Sequence, residues 1–283
     1  MSTDALNAEL RDVRGPSALG GGWRRLVDLV LLMSITEFKR TYFGTVLGYL
    51  WSVGRPLALF GVLLEVFTHV FRLGSQVPHY PVLLLFNIVL FGFFQEATIT
   101  AVTSIVGQEG IVRKTQFPRI VIPLSVVVTA LFNLLLNLVV VFAFILGFGV
   151  SPRVSWLLLI PVIVLLFVFS TAVSMIVASL YPRFRDIGII WSVFSTALFY
   201  ATPVLYPIDK APSGLRSVIS LNPVAPLLEA ARKWVIDPNA PGPRSPVAGG
   251  TSHLLGAMAI YAVICVLAVW IFNREAPRIA EQL

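Results

Sequence analysis

The chain has 283 residues, of which 57% are hydrophobic and only 12% charged, with a formal net charge of +7 and a mean hydropathy of +0.86. An ordinary soluble domain carries about 25% charged residues, so half that charge cannot cover a globular surface with polar groups. The composition excludes a soluble enzyme and a disordered chain and leaves a polytopic membrane protein. The excess basic residues stand between apolar runs, where they orient a chain in a membrane rather than bind nucleic acid.

Residues 1–23 read as a loose tail, with Gly20-Gly21-Gly22 as its flexible joint. Residues 24–43 predict an amphipathic interface helix on the cytoplasmic face. Leu26, Leu29, Val30 and Met33 form its apolar stripe, and Asp28, Glu37 and Arg40 its wet side. Asp28 interrupts the apolar run and no small-residue cleavage site follows, which argues against a signal peptide. A long extension of the first span is the alternative. Apolar runs follow at 44–71, 81–106, 120–149, 156–181, 187–208 and 252–272. Each exceeds the roughly 20 residues that cross a ~30 Å hydrocarbon core. Backbone in lipid must satisfy its own hydrogen bonds, so each run is expected to be a helix. The expectation is an all-α polytopic membrane protein with six transmembrane helices over 44–272.

Basic residues choose the orientation. Arg11, Arg14, Arg24, Arg25, Lys39 and Arg40 precede the first span. Arg113, Lys114 and Arg119 follow the second, Arg183 and Arg185 the fourth, and Arg274 and Arg278 the last. The short opposite links hold only Arg72 and Arg153. Both termini, including the tail 273–283, are therefore expected in the cytoplasm. The fifth link is too long for a turn and partly apolar. Its segment 209–240 predicts short outer re-entrant helices between spans five and six, broken at Leu221-Asn222-Pro223, with Asp237 to Pro246 as an exposed crossing.

Familiar catalytic patterns are missing. No lysine follows glycine, so a phosphate-binding loop is absent. His69, His79 and His253 are scattered, and no helical zinc pair exists. The lone Cys265 lies in an apolar run and reads as packing. The spans hold Arg55, Glu65 and Glu96 and little else that ionises, too few for an ion-coupled relay. Glu65 and His69 stand four apart and are expected to pair locally. Asn133 and Asn137, also four apart, are placed to join helices.

Several local patterns then accumulate. Phe38-Lys39-Arg40-Thr41-Tyr42-Phe43-Gly44 leads into Gly48-Tyr49-Leu50-Trp51 and Arg55-Pro56. Arg113-Lys114-Thr115-Gln116-Phe117-Pro118-Arg119 is followed by Pro123-Leu124-Ser125. Later come Tyr181-Pro182-Arg183-Phe184-Arg185-Asp186, Thr202-Pro203-Val204-Leu205-Tyr206-Pro207 and Leu221-Asn222-Pro223. In order and spacing the chain, over about 24–272, resembles the permease subunit of type-2 ATP-binding-cassette exporters. Within that group it resembles the branch that exports lipid-linked polysaccharides such as O-antigen, teichoic acid and galactan. Export of a drug or small lipid by the same architecture is the alternative.

The resemblance implies a homodimer with a pore between two permeases. It also implies two copies of a separate nucleotide-binding ATPase subunit, which would hold the ATP and Mg that this chain does not. Residues 107–118 then suit a coupling helix, with Glu109, Arg113, Lys114 and Phe117 toward the ATPase. Sugar rings stack on aromatic faces, so Tyr42, Tyr49, Trp51, Phe94, Trp191, Phe194, Phe199 and Tyr200 are candidates for the substrate path. Arg55, with Lys39 or Arg40 nearer the entrance, is placed to guide a lipid-linked pyrophosphate. The alternative for Arg55 is a hydrogen bond to helix carbonyls beside Pro56.

Overall fold

The computed structural model describes residues 22–42, 48, 50–72, 74, 76–110 and 118–275. Every regular element among them is helical. The first, α1, runs over Gly22–Tyr42. Five further helices are long and apolar enough to cross a membrane. They are α2 (Leu50–Glu65, extended by a π turn over Val66–Val70), α3 (Tyr80–Gly107) and α4 (Val121–Gly147), then α5 (Leu159–Leu180, entered through a 3-10 turn at Val154–Leu158) and α9 (Gly250–Glu275). Between α5 and α9 lie three shorter helices: α6 (Ile187–Ala201), α7 (Ser213–Leu221) and α8 (Ala225–Ala231, continued by a π turn over Arg232–Ile236).

The apolar stripe of α1 is where the sequence places it, but its partner is protein. Leu26 and Val30 are buried against Val121 at the start of α4, with Leu29 and Met33 packed beside them. Ser34, fully buried, lets the two helices approach closely. Its hydroxyl donates to the Ser125 carbonyl at 3.0 Å, and Thr129 donates back to the Ser34 carbonyl at 3.3 Å. Asp28 and Arg40 stay exposed.

The centre of the fold is α3, which is largely apolar around its circumference and buried along most of its length. Its phenylalanines build an aromatic core. The Phe94 ring stacks on Phe169 of α5 at 5.7 Å and meets Trp191 of α6 edge-on at 6.4 Å. Phe91 meets Phe199 of α6 at 5.6 Å, and Phe169 stacks on Tyr261 of α9 at 5.2 Å. By contrast α2 and α9 bury little of their own surface.

The fifth apolar run differs from the sequence expectation of a span over 187–208. The helix stops at Ala201 after 15 residues, about 22 Å at 1.5 Å per residue and short of the ~30 Å core. The cause is Pro203. It disfavours helical geometry at the residue before it, and Thr202 is extended at φ −95° and ψ 150°. The irregular stretch that follows keeps its carbonyls satisfied from α3. Tyr80 Oη donates to the Leu205 carbonyl at 2.8 Å, and Asn87 Nδ2 to the carbonyls of Pro203 and Val204 at 3.1 and 3.3 Å. Such backbone survives at depth only when protein or water pairs it.

The break at Leu221-Asn222-Pro223 is where the sequence puts it. Asn222 is extended at ψ 122°. Its Oδ1 accepts from Val224 N at 3.0 Å, and its Nδ2 donates to Thr202 Oγ1 at 2.7 Å. The stretch from Asp237 to Pro246 is less exposed than expected. It folds back on the protein, burying Ala240 and Gly242, the latter against the Lys233 side chain.

Candidate functional site

Four helices meet in a polar cluster built around two asparagines of α4. Tyr42, at the end of α1, donates its hydroxyl to Asn133 Oδ1 at 2.9 Å. Asn133 Nδ2 in turn donates to Glu96 Oε1 on α3. One turn on, Asn137 Nδ2 donates to the Ser52 carbonyl of α2 at 3.2 Å. That carbonyl needs a donor for a local reason: its usual helical partner would be the N–H of residue 56, and Pro56 has none. The Ser52 side chain also bonds to Tyr42. The two asparagines thus do the joining that their spacing suggests.

Arg55 stands beside this cluster on the exposed face of α2, within electrostatic reach of both Tyr42 and Glu96. Burial raises the Tyr42 hydroxyl above its ordinary pKa, and the nearby Glu96 charge raises it further. Hydrogen bonds to Ser52 and Asn133 and the positive charge of Arg55 act against that shift. Lys39 and Arg40 occupy the exposed last turn of α1. The cluster therefore carries a phenol, a guanidinium, a carboxylate and two amides at one junction, with two further cations one turn away.

The aromatic residues divide into two groups. Trp51, Phe194 and Tyr200 are exposed by more than half. Trp191 is half-buried, and its ring centre lies 5.5 Å from that of Phe194. Phe94 at 1% exposure and Phe199 at 7% belong to the core. Within the single chain both pack into the α3–α5–α6 contact. Tyr49, Arg113, Lys114 and Phe117 lie outside the described residues, as does Gly44. Glu109 is half-buried near the end of α3. Glu65 and His69 form the expected local pair at 3.1 Å on an exposed face.

A second charged cluster, absent from the sequence reading, sits in the segment between α6 and α9. Arg232, buried in the π turn after α8, contacts Asp209 at 3.0 Å and Glu229 at 3.5 Å. Glu229 Oε1 also accepts the Ile208 N–H at 2.9 Å. Arg216 of α7 donates to the carbonyls of Ala211 and Asp209, both at 2.7 Å. Burial pushes the Glu229 carboxyl up to about 7; Arg232 and the Ile208 N–H oppose this, and the Asp209 charge adds to it. The sequence signal for this cluster is Glu229 and Arg232 three residues apart within a mostly apolar stretch.

Comparison with known proteins places the chain in a family. A family model described as ABC-2 type transporter matches residues 28–235. Two O-antigen export system permease proteins RfbA of Klebsiella pneumoniae are 30% and 32% identical to the chain over 262 residues. These alignments cover 91% of this chain and 96% of each relative. The protein of the same name from Myxococcus xanthus is 29% identical over 259 residues, covering 89% of this chain and 95% of that one.

Proposed function

The chain belongs to the ABC-2 type transporter family, and on that premise we propose that it is the membrane-spanning permease subunit of a polysaccharide exporter. The observation that carries this reading is likeness along 91% of the chain to permeases named for O-antigen export. Five membrane-length helices supply the scaffold. Export of a drug or small lipid is the competing reading, and those names do not favour it.

In this reading ATP is hydrolysed elsewhere, by two copies of a partner ATPase that bind ATP and Mg. The link 107–118 is the contact for that partner, through Glu109, Arg113, Lys114 and Phe117. Both termini lie in the cytoplasm, which the distribution of Lys and Arg supports. Helix α6, together with residues 202–207, serves as a sixth crossing, and α7 and α8 form a re-entrant pair at the outer face. The permease works as a homodimer, as the resemblance to this exporter family implies.

The cargo is a glycan joined to a lipid through pyrophosphate. Its route runs past Lys39, Arg40, Tyr42 and Arg55 and over the exposed aromatics Trp51, Phe194 and Tyr200, beside Trp191. The guanidinium suits bidentate recognition of phosphate, and aromatic faces suit sugar rings. The test is depletion of the protein in its native cell, followed by analysis of lipid-linked glycans on each side of the membrane. Accumulation of a polymer on the cytoplasmic side is expected. An unchanged distribution overturns the polysaccharide reading.

A further inference from the structure

Arg55 and Glu96 form an unusual couple. Both belong to membrane-length helices, where an unpaired charge is costly. Their helices are tied together one turn apart on α4, Asn133 holding Glu96 and Asn137 holding the carbonyl of Ser52, three residues before Arg55, yet among the described residues Arg55 makes no hydrogen bond and no ion pair within 4.0 Å. Glu96 is anchored on one of its two oxygens. Asn133 Nδ2 holds its Oε1, and Asn133 is itself held by Tyr42. The polar groups that hold the pair, namely Tyr42, Ser52, Asn133 and Asn137, are uncharged, and the nearest further charges along α1 are Lys39 and Arg40, one turn before Tyr42. The guanidinium therefore has a counter-charge nearby but an open hydrogen-bonding edge on an exposed face.

We propose that Glu96 is the built-in counter-ion of Arg55, a positioning residue that stays in place and loses its role as partner charge when the pyrophosphate of the cargo lipid takes the guanidinium. This rests on the export reading above and deepens it by assigning a role to Glu96. At rest the carboxylate offsets part of the cost of carrying an arginine on a membrane-length helix. With pyrophosphate on Arg55, the same carboxylate becomes a like charge beside the ligand and weakens its hold. A transport site must bind its cargo well enough to admit it and weakly enough to release it. The Asn133 bond fixes Glu96 at a distance where it tempers affinity without occupying the guanidinium.

The experiment measures binding of a fluorescent polyprenyl pyrophosphate to the permease in nanodiscs, assembled with its ATPase partner. An uncharged polyprenol and inorganic pyrophosphate serve as comparison ligands. Glu96→Gln keeps an oxygen that accepts from Asn133, so the cluster stays intact while the charge goes. It is expected to tighten binding of the lipid about tenfold. Arg55→Gln is expected to weaken it by at least about tenfold, and the double variant to match Arg55→Gln alone. Polyprenol binding should not change in any variant. Inorganic pyrophosphate should follow the same order more weakly, since the shared chemistry is the anion.

Three binding results overturn the proposal: unchanged affinity in Glu96→Gln, tightening that persists without Arg55, or an equal effect on polyprenol. Thermal unfolding of each assembled variant separates a binding change from a folding defect, and a Glu96→Gln complex that fails to assemble makes the carboxylate structural, which also overturns it. Failure of the export reading shows differently. In that case depletion leaves lipid-linked glycans undisturbed, whatever these affinities are.

Discussion

Replacing Glu229 by glutamine is expected to stabilise the protein, and only above mildly acidic pH. In the fold Glu229 is 3% exposed, and it shares one guanidinium with Asp209, which holds the shorter contact. Its charge is therefore a second negative on a cation already neutralised. Its pKa rises from the ordinary 4.5 to about 7. Below about 4.5 the folded and unfolded states both hold the proton, and the contribution is fully present. Stability is lost as pH rises toward 7, because the unfolded chain releases its proton first, and it levels off above that. At about 1.4 kcal/mol per pKa unit, the ionised side chain costs about 3 kcal/mol at pH 8. The amide of Glu229→Gln is neutral at every pH, and its oxygen can still accept the Ile208 N–H. Thermal unfolding in nanodiscs should show E229Q above the wild type by several degrees at pH 8, with the two nearly level at pH 4.5. A difference of the same size at both pH values, or a wild type that gains stability between pH 5 and 8 relative to E229Q, would refute the reasoning.

Further expectations follow from the packing. Asn137→Leu orphans the Ser52 carbonyl and should cost about 1–3 kcal/mol; adding Pro56→Ala restores a backbone donor and should recover part of that loss in a double-mutant cycle of thermal stability. Phe94→Ala removes a ring buried among Phe91, Phe169 and Trp191 and should cost about 3–5 kcal/mol, read as loss of assembled protein. Phe194→Ala, on an exposed face, should leave unfolding almost unchanged and lower export. Equal thermal stability of the two phenylalanine variants would overturn the division between core and route.

Much of the fold is written in length and apolarity. The long helices α3, α4, α5 and α9 begin and end within a few residues of the apolar runs, because lipid forces any such run to be helical. The break between α7 and α8 is legible in Asn222-Pro223, where the chemistry is local. The same chemistry at Thr202-Pro203 is hidden inside a longer apolar run. Hydrophobicity continues through Val204 and Leu205, and only the donors of Tyr80 and Asn87, more than 100 residues away in sequence, let the chain leave the helix. The fate of individual aromatics is also out of reach. A helix apolar on all sides has no periodic signal to tell Phe94 from an outward ring. Joining Tyr42, Asn133 and Glu96 requires three separate helices, whereas each of the three is noticeable alone.

The short sixth helix changes the thickness of the barrier. Ala201 ends a rod of about 22 Å against a slab of ~30 Å, so with α6 as the proposed sixth crossing roughly a quarter of that crossing would be lined by irregular backbone instead of a smooth apolar wall. A hydrophobic length that falls short of its bilayer is accommodated by local thinning. For a hydroxyl-rich polymer the consequence is a shorter dry passage, since fewer of its units must shed water at once. With α6 as the proposed sixth crossing, the insulating layer would be narrowest beside the end of α6, where the proposed cargo would regain its hydration soonest.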